Sequence, residues 1–269
     1  MEAGINGVYP GEIRITREQE LEMKGSKKMR KLILMMILAT LAAIPAVAEY
    51  VELKDGSSYI INDNRYEDDH VWLDYNTINT PGTSFTLNTN GVIGGDIKAY
   101  KNSTVIINGG TIGERIVGGG DTKVEIQSGV IHGYVYAGGT GLVDINGGSI
   151  NGKLEANANG TIKVTGGSIG GIFEVWHDGV IELYGNSFRV GGVNLSVGDS
   201  LRDFGTLELL GFGDPFYTGT ITGTLSDGSA LNNYFQISDW EDGDIVIVPE
   251  PATLMLFITG LGAMIIRKA

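Results

Sequence analysis

Six segments of this chain begin at a constant spacing of 19 residues, and that spacing limits the available folds more than any other feature. FTLNTNGVI starts at Phe85, TVIINGGTI at Thr104, KVEIQSGVI at Lys123, LVDINGGSI at Leu142, TIKVTGGSI at Thr161 and VIELYGNSF at Val180. Within a unit the second and fourth positions are mostly apolar, as in Val105 and Ile107, Val124 and Ile126, Val143 and Ile145, Ile162 and Val164, and Ile181 and Leu183. The position between them carries Ile106, Glu125, Asp144, Lys163 and Glu182. Alternation of period two marks a strand with one buried face. Glycine-containing pairs follow (Gly109-Gly110, Ser128-Gly129, Gly147-Gly148, Gly166-Gly167), supplying the backbone freedom of a tight corner. Beyond the corner, Ile93, Ile112, Ile131, Ile150, Ile169 and Phe188 share one repeat position, and Ile97, Ile116, Val135, Leu154 and Phe173 share another.

Strands this short cannot bury a face alone. Stacked at about 4.8 Å they form a continuous core and pair their backbones. The pattern therefore predicts an all-β protein built on a parallel β-helix, or solenoid, with 19-residue coils over residues 85–198. A period not divisible by six favours the right-handed form over a left-handed hexapeptide helix. A β-sandwich is a weaker alternative, and propeller blades need about 40 residues or more per repeat. Solenoid ends need covering. Residues 49–84, with Tyr59-Ile60-Ile61 and Val71-Trp72-Leu73, read as an N-terminal cap of one or two irregular coils. Residues 199–248 read as a β-rich C-terminal cap, with a hairpin signal at Asp227-Gly228 between Leu225 and Leu231.

Composition narrows the function. Glycine is abundant, at 42 residues, but lacks the every-third-residue period of collagen. With no cysteine, stability must come from burial and backbone pairing. The net charge of −13 and the scattered cations between Glu49 and Val248 argue against nucleic acid as a partner, because a phosphate backbone calls for clustered Lys and Arg.

Both termini carry targeting signals. Lys27, Lys28, Arg30 and Lys31 precede the apolar run Leu32–Ile44, and Ala46-Val47-Ala48 is an A-x-A cleavage site, so residues 29–48 are expected to be a signal peptide with a helical core, cut after Ala48. The apolar run is shorter than the ~20 residues of a membrane span. Residues 1–28 have no apolar periodicity and read as a mis-annotated or disordered leader, with translation starting at Met29.

At the other end, Pro249-Glu250-Pro251 is followed by the apolar stretch Ala252–Ile266 and then by Arg267-Lys268-Ala269. Residues 249–269 thus resemble a PEP-CTERM sorting tail, with motif, apolar helix and basic end in the family's order. The resemblance implies recognition of Pro249, Glu250 and Pro251 by exosortase, a membrane-embedded bacterial peptidase, and transit through an inner-membrane intermediate to the envelope, the cell surface or the medium. It also implies an association with exopolysaccharide. A C-terminal membrane helix of about fifteen residues is short for a stable span, as suits a temporary anchor.

Right-handed β-helices include polysaccharide lyases and hydrolases, which need clustered carboxylates. The candidates here are Glu125, Asp144 and Glu182, interrupted by Lys163, and the stacked pair Glu155 and Glu174; solvated charge is the better reading for both. His70, His132 and His177 occupy unrelated repeat positions, so no metal site and no cofactor is expected. Tyr100 and Trp176 share a repeat position, with Tyr136 nearby on its coil, and aromatic rings along a rigid sheet can stack on sugar faces. The expected function is that of a non-catalytic, exported structural or adhesive protein. A carbohydrate-binding module is the alternative, and a polysaccharide-degrading enzyme ranks below it.

Overall fold

The computed structural model of the chain describes residues 49–75, 82–210 and 214–249. The described part is all-β, and its one helical element is a single 3-10 turn, Leu201–Phe204. Among the described residues no helix is long and apolar enough to cross a membrane. The expected signal helix and C-terminal membrane helix lie outside the described residues.

Strands stack in parallel along three faces of the coil. Face A is built from β1 (Tyr50–Leu53), β3 (His70–Leu73), β6 (Ile97–Tyr100), β8 (Ile116–Gly119), β10 (Val135–Gly138), β13 (Leu154–Asn157) and β16 (Phe173–Trp176), seven rungs in all. Face B stacks β2 (Ser58–Ile61), β4 (Ser84–Leu87), β7 (Thr104–Ile112), β9 (Lys123–Ile131), β11 (Leu142–Ile145), β14 (Thr161–Val164) and β17 (Val180–Val190). The third face is narrower. It runs from β5 (Val92–Ile93) through the far ends of β7 and β9 to β12 (Ser149–Ile150) and β15 (Ser168–Ile169).

The register is 19 residues along the regular stretch, for example Lys123 beside Leu142 and Leu142 beside Thr161. Every apolar position picked out by the alternation points inward: Val105, Val124, Val143, Ile162 and Ile181 are fully buried, as are Ile97, Ile116, Val135, Leu154 and Phe173. The corner glycines also stack. Gly110, Gly129, Gly148 and Gly167 all have positive φ, between +79° and +105°. A Cβ on Gly129, Gly148 or Gly167 would sit 2.9–3.0 Å from the carbonyl oxygen of the glycine one coil earlier. The second residue has positive φ in all four pairs, and among the first residues Gly109 does as well, at +155°.

Two features depart from the repeat frame. The first unit is shifted by one: Phe85 pairs with Val105 and Ser84 with Thr104, not Phe85 with Thr104. A strand with a buried face cannot slip by one residue without turning its apolar side chains to water, so the inward pair Phe85 and Leu87 sets the register. The compensating residue is absorbed before Val92, which pairs with Thr111 at 19 again. In addition, the opening coils expected in residues 49–84 pair in parallel like the rest but are longer, with Val71 beside Ile97 and Ser58 beside Ser84.

The C-terminal segment does more than cover the end. β19 (Thr206–Leu209), β20 (Pro215–Leu225) and β21 (Ala230–Ser238) form an antiparallel meander, with its β20–β21 turn at Asp227-Gly228 as the sequence signals. β21 then lies parallel to β16, with Phe235 beside Phe173, and β22 (Asp244–Val248) lies parallel to β17. The chain thus re-enters the solenoid as one further rung. The long β17 leaves face B at Gly185 to pair antiparallel with β20, and its end turns back through the short β18 (Val193–Asn194).

Candidate functional site

The outer surface of face A concentrates aromatic and charged side chains. Three rows run along it parallel to the solenoid axis. The row at the entry to the strands carries His70, the first residue of β3, and then Asp96, Arg115, Tyr134 and Lys153; the middle row carries Trp72, Lys98, Val117, Tyr136, Glu155 and Glu174; the third carries Tyr100, Gly119, Gly138, Asn157 and Trp176. Outer positions of face B from β4 to β14 hold no aromatic residue.

Asp96 anchors the first row. Its side chain is almost fully buried, and it takes Arg115 Nε at 3.0 Å and Lys98 Nζ at 3.2 Å. Burial alone would push its carboxyl up, but the two cations hold it below the usual carboxylate range. The Asp96 N–H donates to His70 Nδ1 at 2.8 Å, which assigns the imidazole proton to Nε2. Arg115 reaches on to donate to the Tyr134 hydroxyl at 2.7 Å, and its guanidinium lies 5.5 Å from the Tyr134 ring centre. Lys153 approaches the same ring at 5.6 Å and pairs with Glu155 at 2.7 Å and with Glu174. Cations and rings therefore alternate along the row.

A second set of rings starts at the solenoid's first coil. Tyr50 stacks on Trp72 at 4.6 Å, Trp72 meets Tyr75 edge-on at 4.9 Å, and Tyr75 lies 5.2 Å from Tyr100. Lys98 Nζ is 4.9 Å from the Trp72 ring. Trp72 Nε1 is buried and has no hydrogen-bond partner.

The three residues singled out from sequence fall on this surface. Tyr100 and Trp176 share the third row, four rungs or about 19 Å apart. Tyr136 lies in the middle row, two rungs from Tyr100. Two glycines on intervening rungs leave space that the tyrosine rings use: a Cβ on Gly119 would lie 3.2 Å from the Tyr100 ring, and one on Gly138 only 2.5 Å from that of Tyr136. Trp176 packs edge-on against Phe216 of the cap at 4.8 Å. The three rings are thus spread along the face and do not touch one another. Tyr50, Trp72 and Tyr75 escape a reading based on the 19-residue frame, because they sit in the longer opening coils.

No protein-family model, curated protein or solved structure matches this chain.

The carboxylates weighed for catalysis are engaged with cations or isolated. Glu125 pairs with Lys123 at 2.5 Å, and Glu182 with Lys163 at 3.8 Å. Asp144 lies between Glu125 and Lys163 in the face B ladder, and burial pushes its carboxyl up. Glu155 and Glu174 share Lys153. The histidines are less scattered than the repeat frame implies. The long opening coil brings His70 beside Asp96 and Glu114, with one ligand-type atom of each within 4.8 Å of the others. Lys98 and Arg115 already neutralise that group, so it is an ion-pair network. His132 contacts Asn151 at 3.2 Å, and His177 faces Glu241 at 3.3 Å, far along the chain.

Of the targeting residues, Pro249 directly follows β22. Ala46, Ala48, Glu250 and Pro251 lie outside the described residues.

Proposed function

We propose that this chain is an exported, non-catalytic structural or adhesive protein of the bacterial envelope or extracellular matrix, whose face A holds extended polysaccharide. The observation that carries the reading is the segregation of rings. Seven of them (Tyr50, Trp72, Tyr75, Tyr100, Tyr134, Tyr136 and Trp176) gather on the outside of face A, while among the described outer positions of face B from β4 to β17 the one ring is Tyr184 on the last coil. A ring kept for packing belongs inside or under a loop. Rings ranged along an outer sheet give sugar faces something to stack on, and the interleaved Lys, Arg and Glu give their hydroxyls partners. The coil is read as right-handed, and the carrier as a rod rather than an enzyme, since the carboxylates on both faces are tied to lysines or stand apart.

The tail completes the proposal. Pro249-Glu250-Pro251 and the segment after it would be read by exosortase, releasing the rod from the inner membrane to the surface or the medium. Fractionation of cells with and without exosortase tests this: the full-length chain should accumulate in membranes only when the enzyme is absent, and equal distribution in both would end the sorting claim.

For the face itself, a glycan array identifies the best-retained polysaccharide, and affinity gels cast with it compare variants. Tyr100→Ala and Tyr136→Ala should each weaken retention by roughly 2- to 10-fold, the equivalent of losing one stacking contact of about 0.5–1.5 kcal/mol. Trp176→Ala should do the same, with Phe216→Leu as the control for disturbance of the cap. Lys163→Ala on face B should leave retention unchanged. Unchanged retention in all three face A variants would refute the binding face.

A further inference from the structure

We propose that copies of this chain join head to tail by continuing face A from one molecule into the next, with β19 of one copy pairing in parallel with β1 of its neighbour. Face A is one continuous sheet from β1 through β16 to β21, β20 and β19. Among the described residues nothing pairs with the outer edge of β1 or of β19. Open edges of this kind are templates for another strand.

The two edges match in direction. β21 is parallel to the coils, β20 is antiparallel to β21, and β19 is antiparallel to β20, so β19 runs the same way as β1. Both are four residues long, with a shared pattern of apolar, Glu, Leu in their last three positions: Tyr50-Val51-Glu52-Leu53 and Thr206-Leu207-Glu208-Leu209.

They also match in hydrogen-bond parity. On the inner side of β1, the His70 N–H donates to the Glu49 carbonyl and the Asp74 N–H to the Leu53 carbonyl, so the backbone groups of Tyr50 and Glu52 point to the free edge. In β19, the Leu210 N–H donates to the Asp214 carbonyl, which makes Glu208 and Phe216 a hydrogen-bonded pair and turns the backbone groups of Leu207 and Leu209 outward. A parallel ladder with Leu207 opposite Val51 lets Leu207 bond to Tyr50 and Glu52, as such a ladder requires.

That same register aligns the faces. Leu207 pairs with Tyr217, and Tyr217 with the core residue Ile237, so Leu207 and Leu209 lie on the core side of the sheet. Beyond the last rung they have nothing to cover them and are 54% and 76% exposed. Val51 and Leu53 of the next copy, which face inward, would extend their row. Among the described residues the large exposed apolar side chains fall in the first coil, at Tyr50 and Ile60, and from Val193 onward, with none on the regular coils between. One like-charge contact opposes the joint, Glu208 beside Glu52, and Lys54 at 2.8 Å from Glu52 softens it. An interface between two different edges is head-to-tail, and where its rotation does not close a ring it yields an open chain of subunits. β1 begins two residues after the expected cleavage at Ala48, so export would expose its edge.

The test uses the full chain purified from the exported fraction of an expressing host, followed by sedimentation velocity and negative-stain microscopy across the micromolar range. The wild type should form linear chains that lengthen with concentration. Leu209→Lys, at a position already exposed, should stay folded by circular dichroism and remain monomeric. Mixed into wild type in small amounts, it should shorten the chains, because it still offers β1 but no usable β19. Glu208→Lys should lower the concentration needed for assembly about threefold or more, since it turns a like-charge neighbour into an attractive one. A wild type that stays monomeric throughout, closed two-fold dimers, or chains unaffected by Leu209→Lys would each overturn the proposal.

Discussion

Asp96→Asn should lower the free energy of unfolding by about 2–4 kcal/mol at neutral pH, toward the lower part of the range for breaking a buried ion pair, because Arg115 and Lys98 keep some contact with water. Asp96 is the acceptor on which two cations on neighbouring positions converge. Arg115 Nε is buried without a hydrogen-bond partner and is balanced there by the ion pair with Asp96, so removing the charge leaves it uncompensated. The pH dependence follows from the sign of the shift. The folded carboxyl is held below its ordinary value, so its contribution is complete above the unfolded pKa of about 4 and fades as pH falls through the lower folded value. Urea unfolding of wild type and variant should therefore show a constant gap between about pH 5 and pH 8 that narrows below about pH 4. A gap that widens in acid would contradict this account of Asp96.

Phe173→Ala should cost about 3–5 kcal/mol, the range for deleting a buried aromatic ring. Phe173 is fully buried with Leu154 on one side and Phe235 on the other, and so joins the last regular coil to the returning cap strand. In a solenoid each rung contacts only its neighbours, so stability is a sum of local terms. A cavity at the junction should uncouple the cap from the coils as well as destabilise the whole. Native-state hydrogen exchange should then show β20 and β21 opening at lower free energy than β9 and β11, whereas in the wild type they are tied together through Phe173 and Phe235. Uniform loss of protection along the solenoid would argue against that junction.

The regular coils were legible because an apolar residue recurs at each inward position. Ile112, Ile131 and Ile150, for instance, state the period and the face at once. The corner glycines were legible for the same reason, although the sequence could not show that the second of each pair, Gly110, Gly129, Gly148 and Gly167, takes positive φ throughout. The first unit was misregistered because Phe85-Thr86-Leu87 fits two frames until burial decides between them. Tyr50, Trp72 and Tyr75 were invisible as a group, since the 26 residues separating Val71 from Ile97 break the period on which alignment depends. The Asp96 network was hidden for the same reason, as His70 enters it from the long coil. The cap strands were foreseen as strands. Their return to the solenoid was not, because Phe235 carries no repeat signature that links it to Phe173.

The central claim is that face A, and not face B, is the polysaccharide surface, and ring signals report on it directly. Tyrosine and tryptophan rings labelled with 13C can be followed by NMR while the polysaccharide best retained on the array is titrated in. Shifts confined to Trp72, Tyr100, Tyr134, Tyr136 and Trp176, with Tyr59 and Tyr184 on the face B strands unmoved, are the predicted result. Shifts at Tyr59 or Tyr184 with the face A rings unchanged, or no shifts at saturating polysaccharide, would contradict it.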